Sequence, residues 1–121
     1  MIKKKDLLDY FFKGIKSKDN LKVGVEHEKF ALNKKTLRPL KYDDTSGIND
    51  IFNQLINFGW SPIKEGIPEK IIALKRNSEF ITLEPGGQIE LSGAPLNNIH
   101  QTCSETTHHL NELKNISDIN N

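Results

Sequence analysis

The stretch KIIALKRNSEFITLEPGGQIELS, residues 70 to 92, constrains the fold more than any other part of the chain. It divides into three short runs, KIIALKR, EFITLE and QIELS, in which apolar and polar residues alternate at the period of a strand. Asn77-Ser78 joins the first two runs, and Pro85-Gly86-Gly87 joins the last two. In Glu84-Pro85-Gly86-Gly87, Pro85 presets φ at the second turn position. Gly86 accepts the positive φ that the third position of a type II turn requires. Junctions this short connect only antiparallel neighbours. The segment is therefore predicted to be a three-stranded antiparallel meander.

Residues 22 to 32 read as a fourth strand of the same sheet. Val23 and Val25 point one way, while Glu26, Glu28, Phe30 and Leu32 point the other. Leu8, Phe11, Phe12 and Ile15 repeat at helical spacing, which predicts a helix over 6–16. KSKDN then breaks that pattern, and NKKT reads as a turn into a short segment from Leu37 to Tyr42. DDTS offers side chains suited to capping a second helix, marked by Ile48, Ile51, Phe52, Leu55 and Ile56 and ending near Gly59. Residues 60–69 hold two prolines and a glycine and are expected to be irregular. A last helix runs from 99 to about 116, with Ile99, Cys103, Thr106, Leu110 and Leu113 along one side. The resulting class is α+β, an antiparallel sheet with helices packed on one face.

The 121 residues suffice for one modest domain. Seventeen Lys and Arg nearly balance sixteen Asp and Glu, which argues against nucleic acid or an anionic membrane as a partner. No apolar stretch approaches the length of a membrane span. LLDYFF near the N-terminus carries an Asp and lacks a small-residue cleavage site, so it does not read as a secretory signal. Cys103 is the single cysteine and cannot form an internal disulfide, from which a reducing, cytoplasmic location is expected.

The chemistry concentrates in carboxylates. Glu26 and Glu28 lie on one face of a strand, with Cα atoms roughly 6.5–7 Å apart. Gln88, Glu90 and Ser92 share one face of the last meander strand, and Glu84 ends its neighbour. Either this face meets water, or something cationic sits on it. Phe30 and Leu32 on the same face, and Val23 and Val25 on the other, suggest that both sides are partly covered. A covered face with several acids wants a metal or basic partners. His27 falls on the opposite face and reads as a packed or hydrogen-bonded histidine. His100 and Cys103 are too few for a zinc site, and His108 and His109 read as surface residues of the last helix. Cys103 is expected to be a buried, inert thiol. Lys29, Arg38, Lys41, Lys75 and Arg76 are candidate anion partners. EPGGQ sets its glycines in a hairpin, so it is not a phosphate-binding P-loop. No residue stands out as a general base.

GVEHEKF, LRPLKYD, GWSPIKEG and IALKRNSEFITLEPGGQIELSGAPLNNIHQTCSE resemble the amino-terminal part of the plant-type glutamate–cysteine ligases, a family also found in proteobacteria. The similarity runs from about Val23 to Leu113. It implies a fold like glutamine synthetase, a curved antiparallel sheet whose concave face holds the active site. It implies ATP-dependent joining of the γ-carboxyl of glutamate to the amine of cysteine through a γ-glutamyl phosphate, the first step of glutathione synthesis, with Mg2+ as cofactor. Glu26, Glu28 and Glu90 match the family's metal-binding acids. Glu84 and Gln88 match the same motif as ligand, substrate contact or hairpin support, and Arg38 and Lys41 are weaker candidates for positioning carboxylate or phosphate. Family enzymes are several times longer, so residues 1–121 are expected to form a single partial domain that is inactive alone and pairs with the remainder of a ligase chain. Two other readings stay open: a non-catalytic remnant that binds a cation or partner, and a γ-glutamyl ligase using another amine.

Overall fold

In a computed structural model, the structure describes the backbone of residues 1–119 and the side chains of residues 1–117. The meander forms as the sequence dictates. β3 (Lys70–Arg76), β4 (Glu79–Glu84) and β5 (Gln88–Ser92) pair antiparallel in succession. Asn77 takes φ 52 in the first turn. In the second, Gly86 takes φ 82 and the Gly87 N–H donates to the Glu84 carbonyl at 3.1 Å, closing the expected turn. β1 (Glu26–Phe30) joins the far side of β5, and β2 (Ser61–Glu65) joins the far side of β3. The sheet is five-stranded and wholly antiparallel, in the order β1-β5-β4-β3-β2.

β2 corrects the irregular stretch expected over 60–69. Pro62 has no N–H to give to a ladder, but an edge strand has one side unpaired, so proline is tolerated there. β1 is shorter than the 22–32 strand expected. Its flanks make single bridges, Val23 to Leu96 and Leu32 to Pro39.

Two helices cover one face of the sheet. α2 (Ile48–Ile56) buries Ile48, Ile51, Phe52 and Leu55 against Leu74, Ile81, Ile89 and Leu91, with Trp60 filling the same core. DDTS does not cap α2 with a side chain: Gly47 is the N-cap, and Asp50 reaches back to accept the Ser46 N–H at 2.8 Å. α3 (Ile99–Ile119) lies alongside. Its buried face is not the expected one. Thr102, His109, Glu112 and Ile116 are buried, while Ile99, Cys103 and Leu110 are exposed. Of the polar ones, Glu112 turns inward to accept from Arg76 on the sheet beneath. α1 (Lys4–Lys13) begins and ends earlier than the helix expected over 6–16, and it buries none of its residues. Among the described residues no helix is long and apolar enough to cross a membrane.

Candidate functional site

Strand alternation and register settle which side chains share the face opposite the helices. Across β1, β5 and β4, Glu26 stands opposite Ser92 and Ser92 opposite Phe80. Glu28 stands opposite Glu90 and Glu90 opposite Thr82. Phe30 stands opposite Gln88 and Gln88 opposite Glu84. Three sequence-separated acids, Glu26, Glu28 and Glu90, thus occupy neighbouring positions on one surface. Directly opposed residues in an antiparallel pair have Cβ atoms about 4.5–5.5 Å apart. Glu28 and Glu90 are therefore close like charges, an arrangement that costs stability unless a cation joins them.

The three acids differ in setting. Glu26 and Glu28 are exposed, whereas Glu90 is only 8% exposed. Ser92 Oγ donates to Glu90 Oε1 at 2.6 Å. The covering expected from Phe30 and Leu32 is absent among the described residues, where both side chains are exposed. The donor set is all carboxylate oxygen, the chemistry that Mg2+ and other hard cations take. Among the described residues no three His, Cys, Asp or Glu side chains are already gathered into a metal-holding group. Gathering these three therefore needs the exposed Glu26 and Glu28 to swing toward the fixed Glu90, a rotamer change that exposed side chains make readily.

The other candidates separate. Gln88 donates from Nε2 to the Pro85 carbonyl at 3.3 Å, so it braces the hairpin beside Glu84. Arg38 and Lys41 lie in the exposed loop after β1, where their backbone N–H groups bond Thr36 Oγ1 and Asp44 Oδ2. Neither forms an ion pair among the described residues. Lys75, opposite Phe80, is exposed at the far side of the acidic face and lies 5.5 Å from the Phe80 ring centre.

Behind the sheet, two of the candidate anion partners, Lys29 and Arg76, are half-buried. Lys29 turns its ammonium onto His27, 2.8 Å from Nδ1 and 2.7 Å from the carbonyl oxygen. Desolvation lowers the Lys29 pKa to about 8, although Glu28 and Glu90 pull it up from the other face. Arg76 donates to Glu79 Oε1 at 3.0 Å, to Glu112 Oε1 at 2.5 Å and to the Phe58 carbonyl at 3.1 Å, and stacks 4.2 Å from the centre of the Trp60 ring. Desolvation pulls this guanidinium down, but Glu112 and Glu79 together outweigh it and hold it above its ordinary value. His109, read from sequence as a surface residue, is fully buried with neither ring nitrogen hydrogen-bonded. Burial first, then the nearby charges of Lys29, His27, Arg76 and His108, lower its pKa to about 3. This buried polar seam was missed in the sequence. Its one legible signal was a last helix too polar for an apolar stripe.

Residues 22–119 match the model of glutamate-cysteine ligase family 2. The chain belongs to that family. Over 116 residues, 95% of the chain, it is 47% identical to glutamate–cysteine ligase of Solanum lycopersicum and 46% identical to that of Arabidopsis thaliana. Against glutamate–cysteine ligase A of Oryza sativa subsp. japonica it is 47% identical over the same length. The chain covers 21% of the first two relatives and 23% of the third, about a fifth of a full ligase. These relatives are named chloroplastic, which overturns the cytoplasmic location expected from the single cysteine. A lone cysteine excludes an internal disulfide, but it does not distinguish one compartment from another.

Proposed function

We propose that residues 1–121 supply the metal-binding sheet of a glutamate–cysteine ligase, an enzyme that uses ATP to join the glutamate γ-carboxyl to the cysteine amine. The observation carrying this reading is the register of β1 on β5, which sets Glu28 against Glu90 with Glu26 two residues away on the same open face. Mg2+ is the cofactor proposed there, with Glu26, Glu28 and Glu90 as ligands; when bound it would screen phosphate and carboxylate charges that otherwise repel. The carboxylates themselves give that ion a rigid base, because three hydrogen-bonded strands hold their backbones. Glu84 and Gln88 shape the rim through the hairpin turn. Lys75, opposite Phe80 on this face, is the cation proposed to draw anionic substrates, with Arg38 and Lys41 in the loop after β1 as weaker candidates.

One fifth of a ligase leaves ATP, glutamate and cysteine without most of the walls that would orient them, and positioning supplies much of such catalysis. The 121-residue chain is therefore proposed to be inactive alone and to work with the remainder of a ligase chain as one catalytic domain. The test has two arms. Purified chain incubated with ATP, Mg2+, glutamate and cysteine is expected to release no phosphate above a blank, and turnover would overturn the partial-domain reading. In a chain of full ligase length carrying this segment, Glu26→Gln, Glu28→Gln and Glu90→Gln are each expected to cut the rate sharply with the melting temperature held or raised. Unchanged rate and unchanged Mg2+ dependence in all three would reduce these acids to a wet strand face.

A further inference from the structure

A carboxylate serves a metal best when its own rotamer is already fixed, and of the three acids only Glu90 is fixed. Its Oε1 accepts the Ser92 hydroxyl at 2.6 Å along the same face of β5, which leaves Oε2 as the oxygen free to turn toward Glu28. What aims Ser92 lies in the next two residues. The Gly93 N–H donates to the Val25 carbonyl at 2.8 Å, and Val23 and Leu96 exchange two backbone bonds of 2.8 Å each. The segment leaving β5 is thus stitched to the segment entering β1. From above, Glu105 of α3 accepts the Ala94 N–H on Oε1 at 2.8 Å, and its Oε2 is buried without a hydrogen-bond partner. That second oxygen lies where a side chain at position 93 would begin, and the Val25 carbonyl would stand 3.0 Å from the same point. A side chain there would displace the Glu105 carboxylate, so helix, exit segment and strand are packed into one arrangement.

We infer that Ser92 is a positioning residue that orients Glu90 toward a cation, and that Glu105 acts through the backbone of residues 93–94 to hold Ser92 in place. The inference rests on the cation reading of this face. On that surface the Ser92 side chain stands opposite Glu26 and Phe80, and its hydroxyl donates to Glu90. A hydroxyl that fixes one carboxylate oxygen removes rotamer freedom that binding would otherwise have to remove.

Mn2+ binding to the 121-residue chain, read from the loss of the free-ion electron paramagnetic resonance signal, tests this without turnover. Glu90→Gln and Glu28→Gln are expected to lose binding. Ser92→Ala is expected to weaken Mn2+ about tenfold or more, the effect typical of removing a group that orients a ligand. Ser92→Thr keeps the hydroxyl and is expected to restore affinity. Glu105→Ala weakens binding in the wild-type background and adds little to Ser92→Ala, because both act through one chain of contacts. Glu105→Gln keeps an acceptor for Ala94 and is expected to bind nearly as wild type. Thermal melts of all variants run beside the titrations. Wild-type affinity in Ser92→Ala, with binding lost in Glu90→Gln, would overturn the positioning role and leave the metal face standing. Loss of affinity in Ser92→Ala that Ser92→Thr does not restore would also overturn it. No Mn2+ binding by the wild type, or none lost in the Glu variants, would overturn the metal reading and this inference with it.

Discussion

Glu112 ties Trp60 and Arg76 to α3, and removing it gives a measurable magnitude. Its carboxylate is 3% exposed and is met by three side chains: Trp60 Nε1 at 3.1 Å, Arg76 at 2.5 Å and His108 Nε2, one turn earlier on α3, at 3.0 Å. In Glu112→Leu the Arg76 guanidinium keeps Glu79 and the Phe58 carbonyl but loses its strongest partner. Breaking a buried ion pair costs about 3–5 kcal/mol, and the low end applies because Arg76 retains one acid and its side chain is 16% exposed. The orphaned indole N–H of a Trp60 only 2% exposed adds about 1 kcal/mol. The expected loss is about 4 kcal/mol, a large share of the roughly 5–15 kcal/mol that holds a domain together. For a chain of this size that lowers the melting midpoint by roughly 10–20 °C. Urea unfolding followed by Trp60 fluorescence measures it. Two controls sharpen the result. His108→Ala, at a side chain 66% exposed, should cost less than about 0.5 kcal/mol. Arg76→Met together with Glu79→Leu in the Glu112→Leu background should recover stability, since no member of the buried charge cluster is then left unpaired. A cost below about 1 kcal/mol for Glu112→Leu, or a triple variant weaker than the single, would refute the view that this seam fastens α3 to the sheet.

His109 should stay neutral far into acid. The folded pKa of about 3 lies below the ordinary 6.5, so its contribution to stability is complete above pH 6.5 and drains away as pH falls toward 3. His109→Leu should flatten that part of the stability curve, and an unchanged slope in chemical unfolding from pH 7 to pH 4 would count against it. Lys29 runs at the other end of the scale. Its folded pKa of about 8 against 10.5 means the charged form is disfavoured in the fold below pH 8, and native stability climbs as pH rises from 8 to 10.5. Lys29→Met should therefore be more stable than wild type at pH 7, with the margin shrinking toward pH 10; a constant margin in thermal melts refutes the assignment. Gly47→Ala should cost about 1–3 kcal/mol although its φ of −82 suits any residue, because the new Cβ would sit 2.5 Å from the Lys41 carbonyl and 2.6 Å from that of Asp44. Unaltered urea unfolding in this variant would show that the loop yields.

What was legible in the sequence is what depends on local pattern. Alternation over 70–92 and the Pro85-Gly86 turn specify the meander, whereas the pairing of β1 with β5 that brings Glu28 across from Glu90 is long-range and was not legible. Period two also put His27 on the face away from the acids, where it meets Lys29. The failures share one cause: they depend on what a residue meets from elsewhere in the chain. Pro62 reads as a breaker until β2 proves to be an edge. Helical spacing alone cannot say which stripe of α3 faces inward, and the apolar stripe through Cys103 and Leu110 lost to the polar one, whose Glu112 meets Arg76 beneath it. The apolar repeat of α1 is a genuine helix signal, and the helix forms, but nothing among the described residues packs against it.

GVEHEKF, with its acids and bases in alternation, ties the two faces together. Because side chains of a strand alternate, Glu26 and Glu28 go forward to the open face, while His27 and Lys29 go back beneath α3. The two faces are separated by a single layer of backbone, so the Lys29 charge is felt by both Glu28 and Glu90. Lys29 loses hydration beneath the helix, and the acids in front recover part of that cost for it. The acids gain in turn, since a cation held behind them offsets the repulsion between opposed Glu28 and Glu90 without taking up the coordination space in front. A cation on the open face would compete with a metal for the same oxygens; one behind the sheet cannot reach them. The strand thus solves the difficulty of crowding carboxylates on a rigid surface by carrying its counter-charge on the other side of the same five residues.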